Sequence, residues 1–106
     1  MEEKREFTRF KTSMTVIYRI GNGRNETVSR LEDVSREGMR LSDQSPVSAG
    51  MSLELNIVVP GHDAPVVAMA RSVWCKKTDD YAYKKGLRFT DIHRTDLKRL
   101  LNCVTY

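Results

Sequence analysis

The sequence predicts an all-β fold: a small antiparallel barrel or sandwich of about six strands with one helix at the C-terminus. Two observations predict it. Short extended runs separated by turn residues follow one another at hairpin spacing, and only the last residues change to a helical period. Closing the sheet removes exposed strand edges, and a terminal helix can cover its open side. The length of 106 residues suits one domain with its own core.

The first two strands are predicted to form a hairpin. From Ser13 on, apolar residues alternate with polar ones until Gly21-Asn22-Gly23, which supplies residues that tolerate a positive φ. A more polar extended run, residues 26–35, should return beside the first strand. Gly38 then interrupts the pattern and is expected at a bulge or a tight turn, after which the apolar alternation resumes.

Three further strands are predicted before the helix. Residues 51–59 have the cleanest alternation in the chain and end at Pro60-Gly61. Residues 66–77 carry apolar side chains on both faces, as expected of a central strand. Asp79-Asp80 then turns the chain into a last strand over residues 81–89.

Only the C-terminus has the spacing of an amphipathic helix. One apolar stripe at positions i, i+3, i+4 and i+7 is formed by Leu97, Leu100, Leu101 and Val104. Asp91 is the candidate N-cap of this helix.

The N-terminal residues differ from the rest of the chain. Residues 1–12 are highly charged and lack sustained apolar periodicity, which is typical of a flexible arm. The predicted organisation is therefore an N-terminal arm over residues 1–12 and a barrel with its helix over residues 13–106.

The composition favours binding over catalysis. Eighteen basic residues against 14 acidic ones give a net charge of +4, which suits an anionic partner on a mixed surface. Cys75 and Cys103 form no CxxC and have no histidine cluster near them, so no metal or redox site is expected. His62 and His93 have no motif linking them to a nucleophile, so we do not expect an enzyme.

No stretch of the sequence reaches the length needed to cross a bilayer, and the N-terminus has no apolar signal segment. We therefore expect a cytoplasmic protein without membrane insertion.

Two short motifs form the candidate site. Arg5-Glu6-Phe7-Thr8-Arg9 in the arm offers two guanidinium groups, which suit phosphates and purine edges. Asp33-Val34-Ser35-Arg36-Glu37-Gly38 offers short hydrogen-bond acceptors beside a glycine that lets a ligand approach the backbone. Together they describe a binding site for an anionic guanine nucleotide.

The second motif lies where the second strand should end. Asp33 and Ser35 are two residues apart, so an extended segment would direct both side chains to one face and Val34 into the core. On that face they could accept hydrogen bonds from guanine N1–H and its exocyclic amine. Arg40, just past Gly38, is a candidate third cation.

With both motifs in this order, the chain resembles a PilZ domain, the bacterial receptor module for cyclic di-GMP. The Gly86-Leu87-Arg88-Phe89 strand and the closing helix are weaker support, and the resemblance covers nearly the whole chain. It implies a small six-stranded antiparallel β-barrel that works in second-messenger signalling.

The resemblance also implies roles for the arm. Arg5 and Arg9 would grip phosphate and guanine of cyclic di-GMP, a ligand rather than a cofactor. Lys4 precedes the first arginine, and a basic residue there favours a stacked pair of nucleotides over one. Ordering of the arm would present a new surface to an unidentified downstream protein, with the receptor as a monomer or homodimer.

Other interpretations of the same residues stay open. The arginine pair could be a solvated arm, and the second motif could be a turn between strands. Trp74 and Tyr83 fit core or rim packing better than base stacking. A small basic barrel that binds single-stranded nucleic acid is the alternative function, and it is disfavoured because only 8% of residues are aromatic. An adaptor that has lost its nucleotide is a third possibility.

Overall fold

The computed structural model describes residues 8–78 and 80–104. Its elements in chain order are β1 (Phe10–Lys11), β2 (Thr15–Ile20), β3 (Thr27–Val34), β4 (Gly38–Asp43), β5 (Ser52–Ile57), β6 (Val66–Lys77), β7 (Tyr83–Ile92) and α1 (Arg94–Asn102). The predicted strands and the terminal helix are therefore present in the described chain.

The strands form one antiparallel sheet that closes on itself. Neighbouring strands follow the order β1, β3, β2, β5, β6, β7 and β4, and an additional pairing of β3 with β4 closes the ring. This confirms the predicted six-stranded antiparallel barrel. β1 is an extra strand attached outside the ring.

β1 and β2 lie one after the other along the same edge of β3. Phe10 and Lys11 pair with Val34 and Asp33, and β2 pairs with the first half of β3. Phe10 and Lys11 belong to the predicted arm. Lys11 thus lies opposite Asp33, where the second motif begins, and Arg9 is only two residues before Lys11.

Alternate side chains of the strands fill the barrel interior. The fully or almost fully buried residues include Val16, Tyr18, Leu31, Val34, Leu41, Leu53, Leu55, Ile57, Val59, Val66, Leu87 and Leu100. Val34 points into this core as the sequence predicts.

One end of the interior contains a polar cluster that joins strands from different sides of the barrel. The Lys85 ammonium, fully buried, lies 2.6 Å from Asp43 Oδ1, and Tyr18 donates a hydrogen bond to the same oxygen at 3.3 Å. Burial, together with the nearby Asp43 carboxylate, raises the pKa of Tyr18 well above its ordinary value of 10.0. The tyrosine is therefore held neutral in the folded protein.

Helix α1 covers an open side of the barrel, with Leu100 fully buried. Arg99 fastens the helix to the segment before β6, donating hydrogen bonds to the carbonyl oxygens of Ala64 at 2.8 Å and Pro65 at 3.0 Å. The predicted apolar stripe is confirmed for Leu100 and for Leu101 and Val104, which pack against the core.

The prediction of Asp91 as N-cap is wrong. Asp91 lies in β7, which stays paired with β6 as far as Ile92, so the helix cannot begin there. His93 caps it instead, with Nδ1 accepting from the Thr95 N–H at 3.1 Å. An imidazole nitrogen can satisfy a free helix N–H just as a carboxylate does.

Candidate functional site

A β-bulge in β3 directs two consecutive acidic side chains to the outside of the barrel. The register with β4 shifts between Leu31 and Asp33, so Glu32 is the extra residue. Leu31 and Val34 both lie in the core, and the side chains between them both contact Arg40 on β4. A regular strand would have sent Glu32 and Asp33 to opposite faces.

Asp33 brings together the arm and the barrel. Its Oδ1 accepts a hydrogen bond from Arg9 Nη1 at 2.7 Å, and its Oδ2 lies 2.9 Å from Arg40 Nη2. The Asp33 side chain is only 6% exposed, whereas the two arginines are about one-third exposed at 34% and 36%. The carboxylate is thus an inner anchor for two guanidinium groups that still reach solvent.

Ser35 lies past the end of β3, where the strand alternation has stopped. Its hydroxyl oxygen accepts from the backbone N–H groups of Glu37 at 3.2 Å and Gly38 at 3.3 Å. The residue is 2% exposed, so this oxygen stabilises the turn between β3 and β4. Asp33 and Ser35 therefore do not share a face as the sequence predicts. The Asp33 carboxylate points outward to the arginines, whereas the Ser35 side chain points into the turn.

Gly38 is required by the neighbouring strand. A Cβ at this position would lie 1.9 Å from the carbonyl oxygen of Leu87 on β7. The sequence predicts that a ligand approaches the backbone at this glycine, whereas in the structure the strand β7 makes the close approach, with Gly38 paired to Arg88. Its φ is not positive, so the glycine serves packing and not a special conformation.

Trp74 forms an aromatic surface beside the arginines. Arg40 on β4 pairs with Gly86 on β7, and Gly86 pairs with Trp74 on β6. The indole lies over Gly86, where an added Cβ would meet its Nε1 at 2.2 Å. Trp74 is 41% exposed, so it is a surface residue and not a core residue.

The outer side of β4, β7 and β6 is strongly basic, and we call it the basic face. It consists of Trp74 and five cations, namely Arg40, Arg71, Lys76, Lys84 and Arg88. Within the described chain, Arg71 and Lys76 have no carboxylate within ion-pair distance, and Arg88 has one only at 3.8 Å, in Glu37. The basic face therefore has more positive charge than its own acids neutralise.

A groove of about 420 Å³ opens at one end of this face. It runs between the turn after β3 and the last residues of β7, and Arg36, Arg88 and Phe89 contribute to its lining. Glu37 and Asp91 also line it, so this concave surface next to Gly38 has charges of both signs and one aromatic ring.

The structure unites part of the predicted site. Arg9, Asp33 and Arg40 are in direct contact, and Ser35 and Gly38 form the adjoining turn. Lys4 and Arg5 lie outside the described residues. Sequence reasoning missed Glu32 and the outward position of Trp74. The bulge at Glu32 has no signal in the sequence. The pairing of Trp74 with Gly86 could have been found only if the register of β6 and β7 were known.

The family model of the PilZ domain matches residues 3–106 of this sequence. The chain belongs to the PilZ domain family. This confirms the resemblance drawn from the two motifs. No curated protein matches the chain.

Solved structures with the same fold include other PilZ domains. The inhibitor of motility MotI/DgrA of Bacillus subtilis superimposes with a TM-score of 0.78 at 18% identity, over 96% of this chain and 50% of that one. The PilZ domain of YcgR from Escherichia coli, solved with c-di-GMP, gives 0.74 at 14% identity, over 96% and 89%. The K. pneumonia MrkH complex with c-di-GMP gives 0.71 at 14% identity, over 95% and 50%.

This PilZ domain spans about half the length of the MotI and MrkH structures. At these identities the likeness establishes the fold. In the described residues no helix is both long enough and apolar enough to cross a bilayer.

Proposed function

We propose that this PilZ domain is a receptor for cyclic di-GMP that binds the nucleotide on its basic face and does not turn it over. The observation that carries the proposal is the junction at Asp33, where Arg9 from the N-terminal motif and Arg40 from the barrel meet on one carboxylate. Distant motifs converge there on a surface with excess positive charge. The structures of YcgR and MrkH with c-di-GMP support this choice of ligand.

The two arginines would bind the charged and planar parts of the nucleotide. A guanidinium fork can engage a phosphate, or the O6 and N7 atoms of guanine, with two parallel hydrogen bonds. Arg9 and Arg40 both keep about a third of their side chains exposed at 34% and 36%, so they can contact a ligand without leaving Asp33. Arg5 would add a third fork, and Lys4 further charge.

Asp33 has a different role in this proposal from the one its residue type first suggested. Both of its oxygens are taken by arginines in the described structure, and its side chain is 6% exposed. It would therefore orient Arg9 and Arg40 instead of accepting from the guanine edge. Ser35 and Gly38 would act through the turn, by holding β4 and its Arg40 in place.

Trp74 would provide a stacking surface for a guanine base. Its indole occupies the space that a side chain on Gly86 would need, and it is separated from Arg40 only by β7. Stacking of a base on an aromatic ring is worth about 1 to 3 kcal/mol. A ligand spanning Arg9, Arg40 and Trp74 would thus combine charge with stacking.

Binding would signal through the N-terminal arm. Nucleotide phosphates shared between Arg9 and the preceding Lys4 and Arg5 would hold the arm against the barrel. The surface presented by the ordered arm would then be recognised by a downstream protein, because a binding event that changes no enzyme activity must act through an interaction.

Calorimetry on Arg9→Ala tests the proposal. Loss of one charged donor should weaken cyclic di-GMP binding by about 1.5 to 3 kcal/mol, roughly ten- to a hundredfold, and Arg5→Ala should do the same. Arg24→Ala is the matched control, because it removes the same charge from the exposed loop between β2 and β3. The control should bind as the wild type does.

Wild-type protein that gives no heat with cyclic di-GMP would contradict the proposal, as would full affinity in the Arg9 variant. A single-stranded oligonucleotide is the second ligand to titrate. Tight binding that weakens steeply with salt, together with indifference to cyclic di-GMP, would favour the nucleic-acid alternative.

A further inference from the structure

Glu32 lies among the cations of the basic face and its neighbour Arg30. Its Oε2 is 3.0 Å from Arg30 Nη2, while its Oε1 is 3.4 Å from Lys84 Nζ and 3.6 Å from Arg40 Nε. The Glu32 side chain is only 13% exposed. One carboxylate therefore lies against three basic residues, two of which belong to the basic face.

Glu32 attracts Arg40 electrostatically but does not fix the orientation of its guanidinium group by a hydrogen bond. Neither Glu32 Oε1 nor Arg40 Nε has a hydrogen-bond partner among the described residues, although both atoms are buried. Arg40 is oriented instead by Asp33, at 2.9 Å. Removing the Glu32 charge should thus leave the Arg40 guanidinium in place while raising the positive potential around it.

We infer that Glu32 is an affinity-setting residue: a built-in counter-ion that an anionic ligand must outcompete at Arg40 and Lys84. The ligand's identity rests on the proposed function, whereas the counter-ion role rests on the three contacts alone. A phosphate that approaches Arg40 meets a guanidinium whose charge is already balanced. Glu32 therefore lowers the affinity of the face for anions and so raises the nucleotide concentration at which the receptor responds.

The test is Glu32→Gln, which keeps the size of the side chain and its ability to hydrogen-bond Arg30. Cyclic di-GMP should bind the variant about two- to fivefold more tightly than the wild type in calorimetry, as expected when one competing negative charge is removed from a partly exposed cluster of cations. Glu54→Gln is the control. Glu54 is also an outward-facing partner of an arginine, Arg19, but lies on β5 away from the basic face. The affinity of Glu54→Gln for cyclic di-GMP should match that of the wild type.

A second probe separates this inference from the choice of ligand. Inorganic tripolyphosphate carries dense negative charge without a base, and it should also bind Glu32→Gln more tightly than the wild type. Consider a wild-type protein that gives no heat with cyclic di-GMP, while Glu32→Gln binds tripolyphosphate more tightly than the wild type does. That result would refute cyclic di-GMP as the ligand and would support the counter-ion role of Glu32. Equal or weaker binding of the Gln variant to both probes, or no binding of tripolyphosphate to either protein, would overturn the inference.

Discussion

At the scale of single residues, the second motif is mainly a piece of barrel architecture. Ser35 satisfies backbone N–H groups in a tight turn, and Gly38 lets β4 approach β7. Asp33 is the charged residue of the three, and its carboxylate forms ion pairs with two arginines, Arg9 and Arg40. Ser35 and Gly38 thus shape the turn and the strand pairing that lie next to Asp33 and Arg40.

Gly38→Ala should destabilise the fold. The new Cβ would lie 1.9 Å from a backbone oxygen of Leu87, which no side-chain rotation can relieve. Separation of β4 from β7 should cost about 3 kcal/mol or more in urea denaturation. Gly21→Ala is the comparison, because its Cβ meets nothing and only the φ of 56° is unfavourable. It should cost about 1 kcal/mol. Equal losses in the two variants would contradict the steric explanation.

At the scale of elements, strand pairing creates the basic face. β4 is distant in the sequence from the consecutive strands β6 and β7, yet the strand registers place Arg40, Gly86 and Trp74 in one row. One of the register shifts between β6 and β7 falls between Ser72 and Trp74, directly before the tryptophan. Bulges re-aim side chains, and Glu32 and Trp74 both face outward beside such a register shift.

Trp74→Ala should weaken cyclic di-GMP binding by about 1 to 3 kcal/mol through loss of base stacking. Because Trp74 is the only tryptophan of the chain, its fluorescence in the wild type should change with nucleotide concentration and reach saturation. Val73→Ala is the control, since Val73 is the neighbouring exposed apolar residue at 55% exposure. If the wild-type fluorescence did not change with nucleotide and Trp74→Ala bound cyclic di-GMP as tightly as the wild type, Trp74 would not belong to the site.

At the scale of the whole molecule, closure of the barrel encloses ionisable groups from three strands. Tyr18 on β2, Asp43 on β4 and Lys85 on β7 meet inside although β2 is not a neighbour of the other two strands. Such a cluster resists ionisation of the tyrosine, because a phenolate would be buried next to a carboxylate. The folded barrel should therefore lose stability at alkaline pH.

Stability should fall as the pH rises above about 10, the ordinary pKa of tyrosine. The pKa of Tyr18 is raised in the folded state, so above this pH the unfolded chain releases a proton that the folded protein retains. The free energy of unfolding should decrease by up to about 1.4 kcal/mol per pH unit from this group. Tyr18→Phe should lack that part of the slope in urea denaturation between pH 9 and about 11, whereas Tyr81→Phe, at an exposed residue, should keep it. A slope that is the same in all three proteins would refute the assignment.

By itself the sequence determined the fold class, most strand positions and the two motifs that identify the family. Those features are local, because alternation, turn residues and spaced arginines depend on near neighbours in the chain. The N-cap could not be predicted correctly, since the length of β7 depends on its pairing with β6. Only the tertiary structure decided that Asp33 contacts Arg9 and Arg40, that Glu32 lies near Arg40 and that Trp74 faces outward. Each of these depends on strand register and on bulges, which arise when distant segments pair.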